Sequence, residues 1–352
     1  MTKPIRTRMG DGELVMMSAE EIKEEVLLGT QDAADRGNIP ELTAQELEQL
    51  FDIITESGRI VSVTPGEEVV VIDDGSTLAL TSEYNDGAAL SRSQAVMTYQ
   101  NCCGADTVLL PHNDFSYKPI KGVINYELQD YHTISQLTTA PLFYGAQPNM
   151  GLYYQPDGPC ANPSELLPQG KIEEAQQAQL DAAKMLTDDI VYIFKELNSI
   201  GLEGINLDTS GSAGDADFMA ALNACVEIKK INPEMPVIVG IASEFILGMH
   251  GKVEFEGKRL AGMYPHEQVK TVEAAGASIF GPAINVNTSS SFPWNLSRAV
   301  TFIKAATDVS NIPVHANVGM GVNGIPMLEV STVDCVTRAS KALVQIAKVD
   351  GL

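Results

Sequence analysis

The chain has 352 residues, carries 23 Lys+Arg against 46 Asp+Glu for a formal net charge of −23, and is 44% hydrophobic. That apolar content supports a sizeable core and argues against disorder, and the length fits one large α/β domain with an appendage or two ordinary domains. The acidic balance makes nucleic acid an unsuitable partner, because such binding rests on Lys and Arg neutralising phosphates; no apolar run reaches the roughly 18–20 residues of a bilayer span.

Residues 1–10 contain three basic side chains but no apolar stretch, so no secretory signal is read and a cytoplasmic, membrane-free protein is expected. A helix is predicted over 18–29, opened by Ser18 with Glu21 in capping-box spacing and stopped at Gly29. A second is predicted over 43–56, with Thr43 and Glu46 in the same spacing. Short β-branched runs at 60–63 and 69–72 flank the turn Thr64-Pro65-Gly66. Residues 1–95 therefore form an N-terminal helical and β-hairpin appendage, and 96–352 the main unit.

In the main unit short apolar strands alternate with longer helices. Strands are predicted at 107–110, 141–144, 204–208, 237–243, 278–285 and 313–318, with helices at 171–198, 215–231, 266–275, 294–307 and 333–347. Near-continuous apolar strands alternating with helices imply a parallel sheet covered by helices. Polar residues collect just after each strand: His112-Asn113-Asp114, Gln147-Pro148-Asn149, Asp208-Thr209-Ser210, Ser243-Glu244, Asn285-Val286-Asn287, and His315 with Asn317. Strand ends that share one polar face favour a (β/α)₈ barrel over an open doubly wound sheet. Six strands are two short of that barrel, and residues 348–352 resemble the lead-in to another, so an incomplete barrel is expected.

Glu244 and Asp208 follow apolar strands, where a charge is costly unless it is used or paired. Either could hold a cationic amine or act as a general base, and either could simply cap a loop or helix. His315, Asn285, Asn287 and Asn317 would add hydrogen bonds, and Tyr144 an aromatic face for an ammonium. Other motifs carry less. The five cysteines include no CxxC and read as small buried hydrophobes. The run Gly319-Met320-Gly321-Val322-Asn323-Gly324 lacks the strand and acidic residue that a dinucleotide site requires and reads as a barrel loop. Gly211-Ser212-Ala213-Gly214 precedes a helix and could cradle an anion or serve only as a tight loop. His266-Glu267 fails the HExxH pattern at Lys270, and no histidine spacing implies a metal.

Several longer segments resemble the dimethylamine:corrinoid methyltransferases. They are Pro141-Leu142-Phe143-Tyr144-Gly145-Ala146-Gln147-Pro148-Asn149-Met150-Gly151-Leu152-Tyr153-Tyr154, Leu247-Gly248-Met249-His250-Gly251, Trp294-Asn295-Leu296-Ser297-Arg298, and Gly319-Met320-Gly321-Val322 with Gly324-Ile325-Pro326-Met327. Arg8-Met9-Gly10-Asp11-Gly12 and Asp32-Ala33-Ala34-Asp35 match as well. The resemblance spans essentially the whole chain. It implies a (β/α)₈ barrel, methyl transfer from dimethylamine to the Co(I) of a cognate corrinoid protein, cobalamin carried by that partner rather than bound directly, and a homo-oligomer at full length. It also implies a pyrrolysine immediately after Leu352, so that the 352-residue form is an amber-terminated fragment, inactive alone. Glu244 is then expected to manage protons at the amine, with Asp208, Asn285 and His315 as second choices. The alternatives are another barrel enzyme, such as an aldolase or decarboxylase, and an inactive interaction fragment; no Lys at a predicted strand end supports a Schiff base.

Overall fold

Why the chain turns where it does is visible from the first helix. The computed structural model describes residues 4–57, 142–144 and 150–352, apart from 157, 200, 203, 250, 320 and 329–330. The predicted strands 60–63, 69–72 and 107–110, the domain boundary near 95, Cys102 and Cys103, and the strand-end residues 111–114 and 145–149 lie outside the described residues.

A short antiparallel hairpin, β1 (Ile5–Arg8) and β2 (Leu14–Met17), opens the chain. Helix α1 (Ala19–Gly37) starts on the expected Ser18–Glu21 capping box but runs well past Gly29. Gly29 is a contact point there, not a stop: a Cβ added to it would lie 2.3 Å from the Trp294 carbonyl oxygen. Helix α2 (Ala44–Thr55) keeps its Thr43–Glu46 box.

The parallel sheet is built from β3 (Leu142–Tyr144), β4 (Gly204–Ser210), β5 (Val237–Ile241) and β8 (Ile279–Gly281), in that spatial order. A small hairpin, β6 (Glu254–Phe255) and β7 (Lys258–Arg259), lies in the connection after β5. The helices are α3 (Ile172–Ser199), α4 (Asp215–Ile231), α5 (Pro265–Ala274), α6 (Phe292–Val309) and α7 (Val333–Ala342), the last continued by a π-turn over Leu343–Ala347. Helix α1 lies along α6, where Ser297 donates to the Val26 carbonyl at 2.6 Å and Thr301 to Thr30 at 3.0 Å.

Three predicted strands are shorter than expected, and the one over 237–243 ends at Ile241. The strand expected over 278–285 ends at Gly281, since Pro282 has no N–H to continue the ladder. The segment 313–318 is reduced to bridges, Phe280 with Val314 and His315 with Gly351. It leaves the ladder where Asn317 turns back to accept from the Gly319 N–H at 2.8 Å. The parallel order nonetheless continues past β8: Asp350 N–H donates to Val314 at 2.9 Å and Ala316 N–H to Gly351 at 3.1 Å.

The fold is therefore α/β, a parallel sheet with helices. Among the described residues the sheet is open, and no closed barrel is seen. Its two faces differ. Ile205, Leu207, Val237, Val239, Phe280 and Val314 are all at most 1% exposed and belong to the core. Asp208, Ile238, Gly240, Ile279, Gly281 and His315 alternate with them and remain partly exposed.

Candidate active site at the strand ends

The site begins with the alternation along β4. Ile205 and Leu207 point into the core, so Asn206 and Asp208 share the opposite face. Tyr144 and Ile238 are the register partners of Asn206 on either side. The ladder then slips: Leu207 pairs with Val239, but Ser210 pairs with Ile241, which leaves one extra residue on β4. Such a bulge re-aims a side chain. Thr209 sits in it with φ 60, and its hydroxyl donates to the Asp208 carbonyl at 2.6 Å. A left-handed conformation costs a β-branched residue about 1–2 kcal/mol, and strain of this kind collects at functional positions.

Opposite the bulge stand two glycines. A Cβ on Gly240 would lie 2.7 Å from Asp208 Oδ1 and 3.7 Å from Asn206 Oδ1. Gly281 is its register partner on the next strand, and a Cβ there would lie 3.2 Å from the Gly240 Cα. Two adjacent glycines thus form a floor beneath two side-chain oxygens. Asn206 is only 7% exposed, and its Oδ1 has no hydrogen-bond partner. Leaving a buried acceptor unpaired costs about 1–3 kcal/mol.

His315 stands on the same face, one strand beyond Gly281. Its ring lies against Gly351, where an added Cβ would be 2.7 Å from Cδ2. The imidazole reaches solvent, yet the protein around it lowers its pKa by desolvation, against a hydrogen bond to the Leu352 backbone that favours the charged form. A neutral ring at neutral pH follows.

The other predicted residues are placed differently. Glu244 is 1% exposed, and both its oxygens are held by Arg298 of α6 at 2.5 Å. It is turned toward the helix layer, away from the glycine floor. Arg298 also grips Asp32 of α1 at 2.6 Å and lies over the Phe302 ring. Asn285 ties down the end of β5: its Oδ1 accepts from the Glu244 N–H at 3.2 Å and its Nδ2 donates to the Ala242 carbonyl. Asn287 is exposed farther along that loop, and Asn317 closes its own turn. The structure thus gathers Asn206 and Asp208 over Gly240, sets His315 beyond Gly281 with its ring against Gly351, and separates Glu244 from the group. Asn206 was missed by sequence reasoning; its position two residues before Asp208 in an alternating strand was the available signal.

Two glycine motifs also resolve. In the 319–324 run, Gly321 at φ 84 allows close approach, since a Cβ there would stand 1.9 Å from the Ile284 carbonyl oxygen. No nucleotide cradle is needed to explain it. At the α4 N-terminus, Asp217 accepts from the Ala213 N–H at 3.3 Å and Asp215 from the Ala216 N–H at 2.9 Å. Both carboxyls are 1% exposed, so this helix end meets its own acids rather than a foreign anion. Cys160, Cys225 and Cys335 are buried free thiols, as expected of small hydrophobes. Among the described residues no three His, Cys, Asp or Glu side chains cluster to hold a metal, and no helix is long and apolar enough to cross a membrane.

Against known families, the sequence profile described as "Dimethylamine methyltransferase (Dimeth_PyL)" matches residues 3–352. The chain belongs to the dimethylamine methyltransferase family. No solved structure matches it. As a dimethylamine methyltransferase, it is an enzyme of methyl transfer in methylamine metabolism.

Proposed function

We propose that this protein moves one methyl group from dimethylamine to the Co(I) of a cognate corrinoid protein and releases methylamine. The observation that carries the reading is the family match over residues 3–352. The site supports it chemically. A small ammonium ion needs oxygen acceptors, and Asp208 and Asn206 bring two side-chain oxygens to the face over Gly240. The strand ends belong, in this proposal, to a (β/α)₈ barrel whose mouth receives the corrinoid partner.

In this reading a pyrrolysine, which the family resemblance implies, would supply an electrophilic ring carbon for the amine. Residues Asp350 and Gly351 run beside Val314–Ala316, next to His315. Asp208 holds the amine as an ammonium ion and takes its proton when the neutral amine is required. His315, neutral, lies on the same face farther along the sheet, against Gly351. Asn285 holds the end of β5 in place. Glu244, with both oxygens committed to Arg298, fixes the end of β5. Orientation is the main contribution, because an amine is a poor leaving group and the reacting atoms must be aligned.

The test uses the protein purified from cells with its corrinoid partner under reducing conditions. Conversion of Co(I) to methyl-Co(III), followed by absorbance, should require dimethylamine and yield equimolar methylamine. Methyl transfer from another donor with none from dimethylamine would overturn the reading.

A further inference from the structure

The connection after β5 passes between two ionisable side chains that do not pair. Beneath it is Asp215, the first residue of α4, 1% exposed. Its backbone N–H donates to the Leu247 carbonyl at 2.7 Å, and its Oδ1 accepts from the Ala216 N–H, but its Oδ2 is buried with no hydrogen-bond partner. Gly248 lies over that oxygen: a Cβ there would stand 2.5 Å from Asp215 Oδ2 and 2.4 Å from the Ala261 Cβ. Farther along, Arg259 of β7 lies against Gly251, where a Cβ would be 2.4 Å from Nη2. The two glycines let the chain come this close on both sides. A carboxylate sealed against carbon without a donor is far costlier than the neutral acid. Burial accordingly raises the Asp215 pKa, against the backbone N–H groups at the helix start and the Arg259 charge, which favour the anion. Asp217, two residues on in α4, adds a second carboxyl to this helix end, and Gln176 of α3, which donates to the Met249 carbonyl at 3.0 Å, is neutral.

We propose that the stretch 247–249 is a proton-dependent latch, which closes on Asp215 while that carboxyl is neutral and lifts when it ionises. The proton passes to solvent, and the lifted stretch opens the carboxylate to water and to Arg259. The closed form binds the proton more tightly than the open form. Closure is therefore most favourable below the ordinary carboxyl pKa of 3.8, weakens as pH rises toward the closed-state value, and is constant above it. Lifting also frees the Asp215 N–H from the Leu247 carbonyl, so its exchange with solvent reports the latch.

Amide hydrogen exchange in the intact protein tests this, followed by mass spectrometry over peptides containing 211–218 and 245–249 from pH 5 to 8, with rates corrected for the intrinsic effect of pH. Asp215→Asn is the neutral mimic. At pH 8 its protection over both stretches should exceed the parent's severalfold, and the gap should narrow as pH falls to 5. Gly248→Ala, whose methyl crowds Asp215 Oδ2, should lower protection at every pH. Peptides of α6 should be unchanged in both variants. Equal protection of the parent and Asp215→Asn at pH 8 overturns the latch. So does a pH dependence that Asp215→Asn retains in full, which would assign it to another group such as His250, since histidine titrates in this range. A loss of protection that extends over α6 in Gly248→Ala would mark general destabilisation and likewise overturns it.

Discussion

Arg298 holds both carboxylate oxygens of Glu244, Nη1 to Oε2 and Nη2 to Oε1 at 2.5 Å each, while its Nε reaches Asp32 at 2.6 Å. One guanidinium on α6 therefore joins α1 to the end of β5. The Asn285 amide continues the connection, through the Glu244 N–H, to the loop after β8. Burial works against the charge on Arg298, yet its pKa is raised because the two carboxylates outweigh that penalty.

Removing one partner should expose how much depends on this clamp. Arg298→Met leaves Glu244 charged and buried, and a loss of about 3–5 kcal/mol is expected. Replacing the pair together, Arg298→Met with Glu244→Leu, should recover more than half of it, because no unpaired charge remains at Glu244. Urea unfolding of the two variants checks this. A single variant within about 0.5 kcal/mol of the parent, the range of an ordinary surface change, would show that the pair is not a clamp.

Gly240→Ala addresses the floor. The new methyl would stand 2.7 Å from Asp208 Oδ1, closer than carbon and oxygen tolerate, so the carboxylate must swing aside. Activity with dimethylamine should fall about tenfold or more, as expected when a reacting group is misplaced by roughly 1 Å. Stability should change by no more than about 1–3 kcal/mol, the usual range for added bulk. Steady-state kinetics beside thermal unfolding separates the two effects, and full activity in a folded variant would remove Asp208 from the site.

Thr209→Gly relaxes the bulge. Glycine adopts φ 60 without a Cβ penalty, so relief of about 1–2 kcal/mol is set against the extra backbone freedom of glycine in the unfolded chain. The expected sum is a stability equal to or slightly above the parent, with lower kcat/KM because Asp208 is less firmly aimed. A variant both less stable and equally active would mean that the bulge neither stores strain nor serves the site.

His315 sets a pH dependence. Its pKa lies below the ordinary 6.5 because the folded protein desolvates the ring. The unfolded chain thus takes up a proton at pH values where the folded chain does not. Stability linked to this group is complete above about pH 6.5 and declines as pH falls toward the folded-state pKa. His266, lowered for the same main reason, acts in the same direction. Unfolding midpoints measured from pH 7.5 to 5 should therefore fall less steeply for His315→Gln than for the parent. Parallel curves would contradict the lowered pKa.

Much of this protein can be read along the chain. Local signals are enough for the capping boxes at Ser18 and Thr43, for helix Asp215–Ile231 and for the apolar strands, because hydrogen bonds and periodicity between near neighbours decide them. The polar strand ends and the long family segments likewise lie in the residues themselves. What remained illegible depends on neighbours distant in sequence. Gly29 reads as a helix stop until the Trp294 carbonyl is seen beside it. Glu244 and Asp208 look alike as strand-end carboxylates, and only Arg298, 54 positions from Glu244, commits one of them to the helix layer. Asn206 reads as an ordinary strand residue until Gly240 on β5 is seen beside its Oδ1. Sequence alone determined which stretches form strands and helices and which chemistry is present; tertiary contact decided that Glu244 is neutralised by Arg298 and that Asp208 lies over Gly240, because a charge's environment is set by whatever the fold brings within a few ångströms of it.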